Sequence, residues 1–260
     1  MNGWLSKIAI LTTAVVFLLF GQVGAGLDAG ATVPKVGPGY WIMTGNGTSL
    51  SFQAPPISSQ SGISCAVAPP GTNPAPRCSG IATFPDGSGY WISGYIPWWH
   101  EGILDTGGDA TAFAPPGGCE TGAVSNAPVV GVATAQEGAW LVGADGAVFG
   151  LCGAGFHGSM GGTPLNRPVV GITATPDGKG YWLVASDGGI FAFGDAAFYG
   201  SMGGTTIASP MVGIAANPDG AGYWTVGADG GVFAFGNAPF LGSAAGSSLD
   251  APIVGIAARR

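Results

Sequence analysis

The stretch GITATPDGKGYWLVASDGGIFAFG at residues 171–194 decides the fold, because it recurs as GIAANPDGAGYWTVGADGGVFAFG at residues 213–236. Such a period indicates one supersecondary unit used several times. Within the unit, Pro-Asp-Gly and Asp-Gly-Gly are hairpin-turn sequences, because glycine accepts the positive φ of tight turns. The short apolar and aromatic segments around these turns predict strands. The unit is therefore an all-β repeat of four short predicted strands.

One tryptophan marks each unit, and five such residues occur: Trp41, Trp91, Trp140, Trp182 and Trp224. The first unit lacks the Gly-Ile strand that precedes the tryptophan elsewhere, and the chain ends on such a strand at Gly255-Ile256. Half units at both ends predict a ring in which the C-terminal strand pairs with the N-terminal blade and removes the open edge. We therefore predict a five-bladed β-propeller of four-stranded blades over residues 32–260.

Composition limits the partners. The 260 residues include 50 glycines and 20 prolines, but the apolar fraction of 47% is too high for a disordered chain. Only 8% of the residues are charged, with 14 acidic against 7 basic side chains. Because a phosphate backbone requires a basic surface, we exclude nucleic acid as a partner. We expect a monomer.

The first 31 residues predict an export signal or an N-terminal anchor. Lys7 is followed by the apolar run Ile8 to Phe20 and then by small residues. These 13 apolar residues are fewer than the roughly 20 that span a bilayer as a helix, which favours a cleaved signal. The predicted location is outside the cell or on the outer face of the envelope, with membrane attachment only if cleavage fails.

Four cysteines in an exported chain predict disulfides, because the compartment is oxidising and the count is even. Three disulfide connectivities are possible for Cys65, Cys78, Cys119 and Cys152. Local pairing, 65 with 78 and 119 with 152, is the most economical. The spacing of cysteines and histidines does not match a zinc site, and we predict no metal and no cofactor.

The phrase GYWLVASDGGIFAFGDA at residues 180–196 resembles Gly-rich, propeller-like repeats of exported actinobacterial proteins. The resemblance covers roughly residues 80–260 and is weak in the first unit. It implies a five-bladed, lectin-like architecture and an extracellular accessory or adhesive role. It specifies a fold better than a function.

Catalytic signatures are missing from the sequence. There is no nucleophile elbow, phosphate loop or zinc-protease motif, and only two histidines, His100 and His157, are available. A propeller glycosidase needs two carboxylates around the axis, and the predicted inner strands carry none. We therefore predict no catalytic residues. A secreted hydrolase acting on carbohydrate or an ester remains the alternative, and a purely structural spacer is a third.

The least repetitive stretch, YIPWWHEGIL at residues 95–104, lies in a loop of the second unit. It offers stacking surface and hydrogen-bonding groups, the chemistry of a sugar or peptide subsite. We predict a binding site there, at Trp98, Trp99, His100 and Glu101. The competing interpretation is that the two tryptophans fill the channel or cover a blade edge. Either way, the predicted function is non-enzymatic binding of an envelope glycan or a protein partner.

One polar residue recurs in the turn between the second and third predicted strands. Its five positions are Asn46, Asp105, Asp145, Asp187 and Asp229. Such a turn ring is able to hold a cation or contact a sugar. Turn geometry alone also explains an Asp-Gly pair, and that simpler explanation is favoured.

Overall fold

A computed structural model describes residues 40–44, 49–52, 77–83, 89–96, 101–108 and 126–258. In these ranges the chain is all-β. Its strands, in chain order, are β1 (Tyr40–Thr44), β2 (Ser49–Phe52), β3 (Arg77–Thr83), β4 (Gly89–Ile96), β5 (Glu101–Gly108), β6 (Val129–Thr134), β7 (Ala139–Gly143), β8 (Val148–Leu151), β9 (Val169–Ala174), β10 (Gly180–Ala185), β11 (Ile190–Gly194), β12 (Met211–Ala216), β13 (Gly222–Gly227), β14 (Val232–Gly236) and β15 (Ile253–Ala258).

The strands form five separate three-stranded antiparallel sheets. Four of them use consecutive strands: sheet 1 is β3-β4-β5, sheet 2 is β6-β7-β8, sheet 3 is β9-β10-β11 and sheet 4 is β12-β13-β14. The terminal sheet has the order β15-β1-β2, with Ile256 opposite Ile42 and Ile42 opposite Leu50. The two ends of the described chain thus share one sheet.

The middle strand lies in the core in sheets 2, 3 and 4. Every residue of β7, β10 and β13 is buried, including the repeat tryptophans Trp140, Trp182 and Trp224. Both faces of these strands are apolar, which explains why the sequence shows continuous apolar runs there instead of alternation. The third strands β11 and β14 are buried only at their first residue and become exposed at their last.

Successive sheets pack through their first strands, β3 on β6, β6 on β9, β9 on β12 and β12 on β15. Glycines in β6 and β12 permit this close approach. A Cβ at Gly131 would lie 3.2 Å from the Ile172 side chain, and one at Gly213 would lie 3.2 Å from the backbone nitrogen of Ile256. At Gly131 and Gly213, the opening glycine of the unit is therefore a packing requirement between sheets.

The prediction of a five-bladed propeller with four-stranded blades is wrong. Each sheet has three strands, the sheets stay separate, and no barrel or propeller closes in the part of the chain that the structure describes. The expected fourth strand, near residues 197–202, is irregular. Gly200 there has a φ of 126°, and the N–H groups of Tyr199 and Met202 donate to the Tyr223 hydroxyl and the Gly188 carbonyl, not to a neighbouring strand.

The pairing of β15 with β1 does not close a ring of sheets. Within the described ranges, β15 packs on β12 but makes no comparable contact with β3. A Cβ at Gly255 would meet open space, and the Val254 side chain is 57% exposed. The phase of the repeat thus led to the correct strand pair but not to the correct architecture.

Candidate functional site

In sheets 2, 3 and 4, two buried aromatic side chains hold the segment that follows the third strand. After β11, the indole Nε1 of Trp182 donates to the Ala197 carbonyl at 2.7 Å. Three residues later, the Tyr223 hydroxyl from sheet 4 donates to the Gly200 carbonyl at 2.6 Å and accepts the Tyr199 N–H at 3.2 Å. We call this Trp–Tyr pair the aromatic clamp. It ties a loop of one sheet to the core of the next.

The same clamp occurs after β8 and after β14. Trp140 donates to Gly155 at 2.7 Å and Trp224 to Pro239 at 2.8 Å, in each case to a backbone carbonyl. The matching tyrosines come from the next sheet, and their hydroxyls donate to the carbonyls of Gly158 (Tyr181) and Gly242 (Tyr40). The paired rings contact one another, with centroids 4.9, 5.5 and 5.3 Å apart in chain order. Buried donors are normally hydrogen-bonded, and the clamp side chains find their acceptors in the loop carbonyls. These bonds hold the backbone of each loop in place.

Burial keeps the clamp tyrosines protonated. It raises the pKa of Tyr40, Tyr181 and Tyr223 above the ordinary value of 10.0, and it outweighs the opposing effect of the hydrogen bonds to the backbone. The neutral hydroxyl is the form that donates a hydrogen bond. The clamps therefore stay intact throughout the physiological pH range.

Between the two points of each clamp lies a phenylalanine that faces solvent. Phe156, Phe198 and Phe240 are 66%, 60% and 62% exposed, although Phe is normally among the more buried residue types. We call these three residues the phenylalanine set. They occupy equivalent positions, 42 residues apart, on loops whose backbone is held on both sides. Exposed aromatic rings on a backbone that is held in place are typical of binding surfaces.

A groove of about 220 Å³ lies beside Phe198. One wall is the linker before β9, with Asn166 and Arg167, and the other is the loop after β11, with Phe198 and Ser201. The floor is the turn between β10 and β11, which contributes Asp187 and its neighbours. We call this the Arg167 groove.

Backbone hydrogen bonds fix both walls of the Arg167 groove to its floor. The Ser186 N–H donates to the Pro168 carbonyl at 2.9 Å, and the Met202 N–H donates to the Gly188 carbonyl at 3.0 Å. The Ser201 hydroxyl accepts the Gly203 N–H at 3.2 Å, which orders the end of the second wall. The groove is therefore formed before any ligand arrives.

Several polar atoms in the Arg167 groove are free to bind a ligand. Arg167 is exposed, and its guanidinium has no ion-pair partner among the described residues. The Asp187 carboxylate accepts the Gly189 N–H at 3.0 Å with one oxygen, and its other oxygen has no hydrogen-bond partner within the described ranges. A donor group and an acceptor group thus line the same groove as an exposed ring.

The predicted turn ring is only partly present. Asp145, Asp187 and Asp229 each lie in the turn between a second and a third strand, and each accepts the N–H two residues later at 2.9–3.1 Å. This is turn chemistry. Asp105 lies inside β5 opposite Ile92, not in a turn, and Asn46 is outside the described residues. The part of the chain that the structure describes holds no group of three potential metal ligands.

The predicted binding segment is largely outside the described residues. Trp98, Trp99 and His100 are not described, while Glu101 begins β5 and pairs with Ile96 at the end of β4. The binding role of this segment stays a prediction. So does the membrane or export role of residues 1–31, and no helix among the described residues is long and apolar enough to cross a membrane.

Of the four cysteines, one has a described environment. Cys152 follows β8 with a φ of 56°, and it is disulfide-bonded. Cys78 lies in β3, and Cys65 and Cys119 are outside the described ranges. The pairing of 65 with 78 and of 119 with 152 therefore stays a prediction.

Sequence reasoning missed the phenylalanine set and the Arg167 groove. The available signal was an invariant Phe that follows the FAFG segment or its counterpart in each of the last three units. A second signal was the residue before the Pro that opens each first strand, which is Ala127, Arg167, Ser209 and Ala251 in successive units. Arg167 is the charged residue in that series, and it distinguishes sheet 3 from the other sheets.

Comparisons with known proteins leave the family open. No family model matches the chain, and no curated protein matches it. A solved structure titled as a humanized mutant of the Chaetomium thermophilum Polycomb Repressive Complex 2, bound to an inhibitor, is similar over 64% of this chain. It shares 9% sequence identity at a TM-score of 0.40, and 39% of its own length is covered. A likeness at that level carries no argument about fold or function.

Proposed function

We propose that this protein is a non-enzymatic binding protein of the cell surface that recognises an envelope glycan. The observation that carries the proposal is the phenylalanine set, three exposed rings at equivalent positions on clamped loops. An aromatic face stacks on the apolar face of a sugar, and a loop whose backbone is already ordered loses less conformational entropy on binding. Repetition at three positions suits a polymer of repeating sugars, because linked weak sites add up to useful avidity.

Charge supports a carbohydrate over a strongly charged polymer. The chain carries a net charge of −7, which disfavours nucleic acids and other polyanions. Its low charged fraction also leaves stacking and neutral hydrogen bonding as the main sources of affinity. An exported location follows from the predicted signal at residues 1–31 and agrees with a ligand outside the cell.

The hydrolase alternative gains no support from the Arg167 groove. Glycosidases that use two side-chain carboxylates place them on either side of the scissile bond. The residues that line the groove include one carboxylate, Asp187. One oxygen of this carboxylate already accepts a hydrogen bond in the β10–β11 turn, so the group suits a fixed hydrogen-bond acceptor better than a proton donor.

Co-sedimentation of the full chain with insoluble, purified envelope glycan tests the proposal. We expect the triple variant Phe156→Ala, Phe198→Ala and Phe240→Ala to bind at least about tenfold more weakly. Each lost stacking contact is worth about 0.5–1.5 kcal/mol, and tenfold corresponds to 1.4 kcal/mol. The three side chains are exposed, so the triple variant should keep the circular dichroism spectrum and melting temperature of the wild type.

A second variant separates the two candidate surfaces. Trp98→Ala with Trp99→Ala removes the aromatic pair of the binding segment predicted from sequence. If binding is lost in this double variant and unchanged in the triple phenylalanine variant, the proposal is wrong about the site. If the wild type binds a protein from the envelope but no glycan, it is wrong about the ligand.

A further inference from the structure

We propose that the Arg167 groove is a subsite for one neutral pyranose ring, and that it gives the glycan-binding surface its specificity. This inference rests on the proposed function, since it names the sugar class that one member of the phenylalanine set takes. It depends on three features of the groove: the Phe198 ring, the paired donor and acceptor groups, and the size of the cavity.

The Phe198 ring supplies the apolar contact. It is 60% exposed and lines the groove, so one of its faces is available to a ligand. Ala197 and Gly200, on either side of it, are held by Trp182 and Tyr223. A pyranose presents axial C–H groups on its ring faces, and one such face would stack on the Phe198 ring. The hydroxyl groups at its edge would then point away from the ring toward the polar side chains of the groove.

Arg167 and Asp187 supply the polar contacts. The guanidinium is a planar fork of donors that reaches two vicinal hydroxyls, and the free oxygen of Asp187 accepts a hydrogen bond from one. The two charges have opposite sign and lie in one groove, so their sum favours a neutral polyol. An anionic sugar would gain from Arg167 but would meet repulsion from Asp187.

The cavity volume limits the ligand to a single ring in this groove. About 220 Å³ is below the roughly 300–1,000 Å³ typical of pockets for drug-sized ligands. A longer glycan would extend beyond the groove, and Phe156 and Phe240 are the equivalent exposed rings of the neighbouring repeats. At the equivalent linker positions those repeats have Ala127 and Ser209, which lack a guanidinium. The Phe156 and Phe240 sites therefore stack without the same polar recognition.

Saturation-transfer NMR and titration of the full chain with methyl glucopyranoside and methyl N-acetylglucosaminide test the subsite, with glucuronate as the anionic comparison. We expect weak binding of at least one neutral glycoside, with a loss of about tenfold or more in Arg167→Ala and of about two- to tenfold in Phe198→Ala. A hydrogen bond to a charged group contributes about 1.5–3 kcal/mol, which is tenfold or more in affinity.

Two variants serve as matched controls. Phe240→Ala removes the equivalent ring in a repeat without the arginine, so monosaccharide binding should remain. Asp187→Asn keeps an acceptor oxygen that holds the turn, so the chain should fold, while removal of the negative charge should shift the preference toward glucuronate. Arg167→Ala introduces the residue that the chain already has at two equivalent positions, 127 and 251. The variant should therefore fold, and a loss of binding would reflect the missing guanidinium.

The outcomes distinguish this inference from the proposed function. If neutral glycosides bind equally well to the wild type, Arg167→Ala and Phe198→Ala, the proposal of a subsite is wrong. The proposed function is still supported in that case if binding of envelope glycan requires the phenylalanine set. Tighter binding of glucuronate than of any neutral glycoside to the wild type overturns the neutral assignment. If no neutral glycoside binds at a concentration of about 50 mM, the proposal of a subsite is also wrong.

Discussion

The aromatic clamp around Phe198 makes a quantitative prediction for Tyr223→Phe. The substitution removes one hydroxyl and keeps the ring, which packs 5.5 Å from both Trp182 and Phe235. Two hydrogen bonds are lost, one to the Gly200 carbonyl at 2.6 Å and one from the Tyr199 N–H at 3.2 Å. Each is worth about 1 kcal/mol, and the groups left unpaired are only partly buried. We expect the free energy of unfolding to fall by about 2 kcal/mol.

Urea unfolding followed by tryptophan fluorescence measures this loss, and a thermal melt should show a decrease of about 4–8 °C for a chain of this size. Tyr199→Phe is the control, because it removes a hydrogen bond to Gly220, at 3.0 Å, that is not part of the clamp. Amide hydrogen exchange at residues 197–200 should accelerate in Tyr223→Phe and not in Tyr199→Phe. If Tyr223→Phe stays within about 0.3 kcal/mol of the wild type, the clamp does not hold the loop, and the argument for a preorganised Phe198 fails.

Three further changes test the packing. Thr225 is buried and its Oγ1 has no hydrogen-bond partner in the described structure, so Thr225→Val should stabilise the chain by about 1 kcal/mol in urea unfolding; destabilisation would mean that the hydroxyl is satisfied. Gly213→Ala should cost about 1–3 kcal/mol because its Cβ would lie 3.2 Å from the Ile256 nitrogen, whereas Gly255→Ala should be nearly neutral, and equal effects would contradict the packing of first strands. The raised pKa of the clamp tyrosines predicts stability that is complete below pH 10.0 and falls as pH rises through their higher folded values, and a flat alkaline profile of the melting temperature would contradict it.

The sequence predicted the strands better than the way they assemble. Strands β9 to β11 and β12 to β14 follow directly from the repeated phrase, because apolar segments between Asp-Gly turns leave little alternative. The fourth strand failed because residues 197–202 look extended, whereas their backbone donors are taken by Tyr223 and Gly188. Those partners come from another sheet and from a distant turn, so local pattern does not reveal them.

The candidate site was harder to predict because its residues carry no motif. Phe198 reads as one more core aromatic in a chain with thirteen phenylalanines, and only its position between two clamp points exposes it. Arg167 lies 31 residues before Phe198, and the fold brings both to one groove. In contrast, the Asp-Gly turns carry a local signal, because the Asp187 carboxylate accepts the backbone N–H two residues away.

A crystal structure of the full chain with a soluble oligosaccharide released from the envelope tests the central claim most directly. We predict electron density for sugar rings on the exposed faces of the phenylalanine set, with the best-ordered ring in the Arg167 groove. The guanidinium of Arg167 and the free oxygen of Asp187 should lie within hydrogen-bond distance of its hydroxyls. Sugar density elsewhere, such as on Trp98 and Trp99, with the phenylalanine set unoccupied, would contradict the proposal.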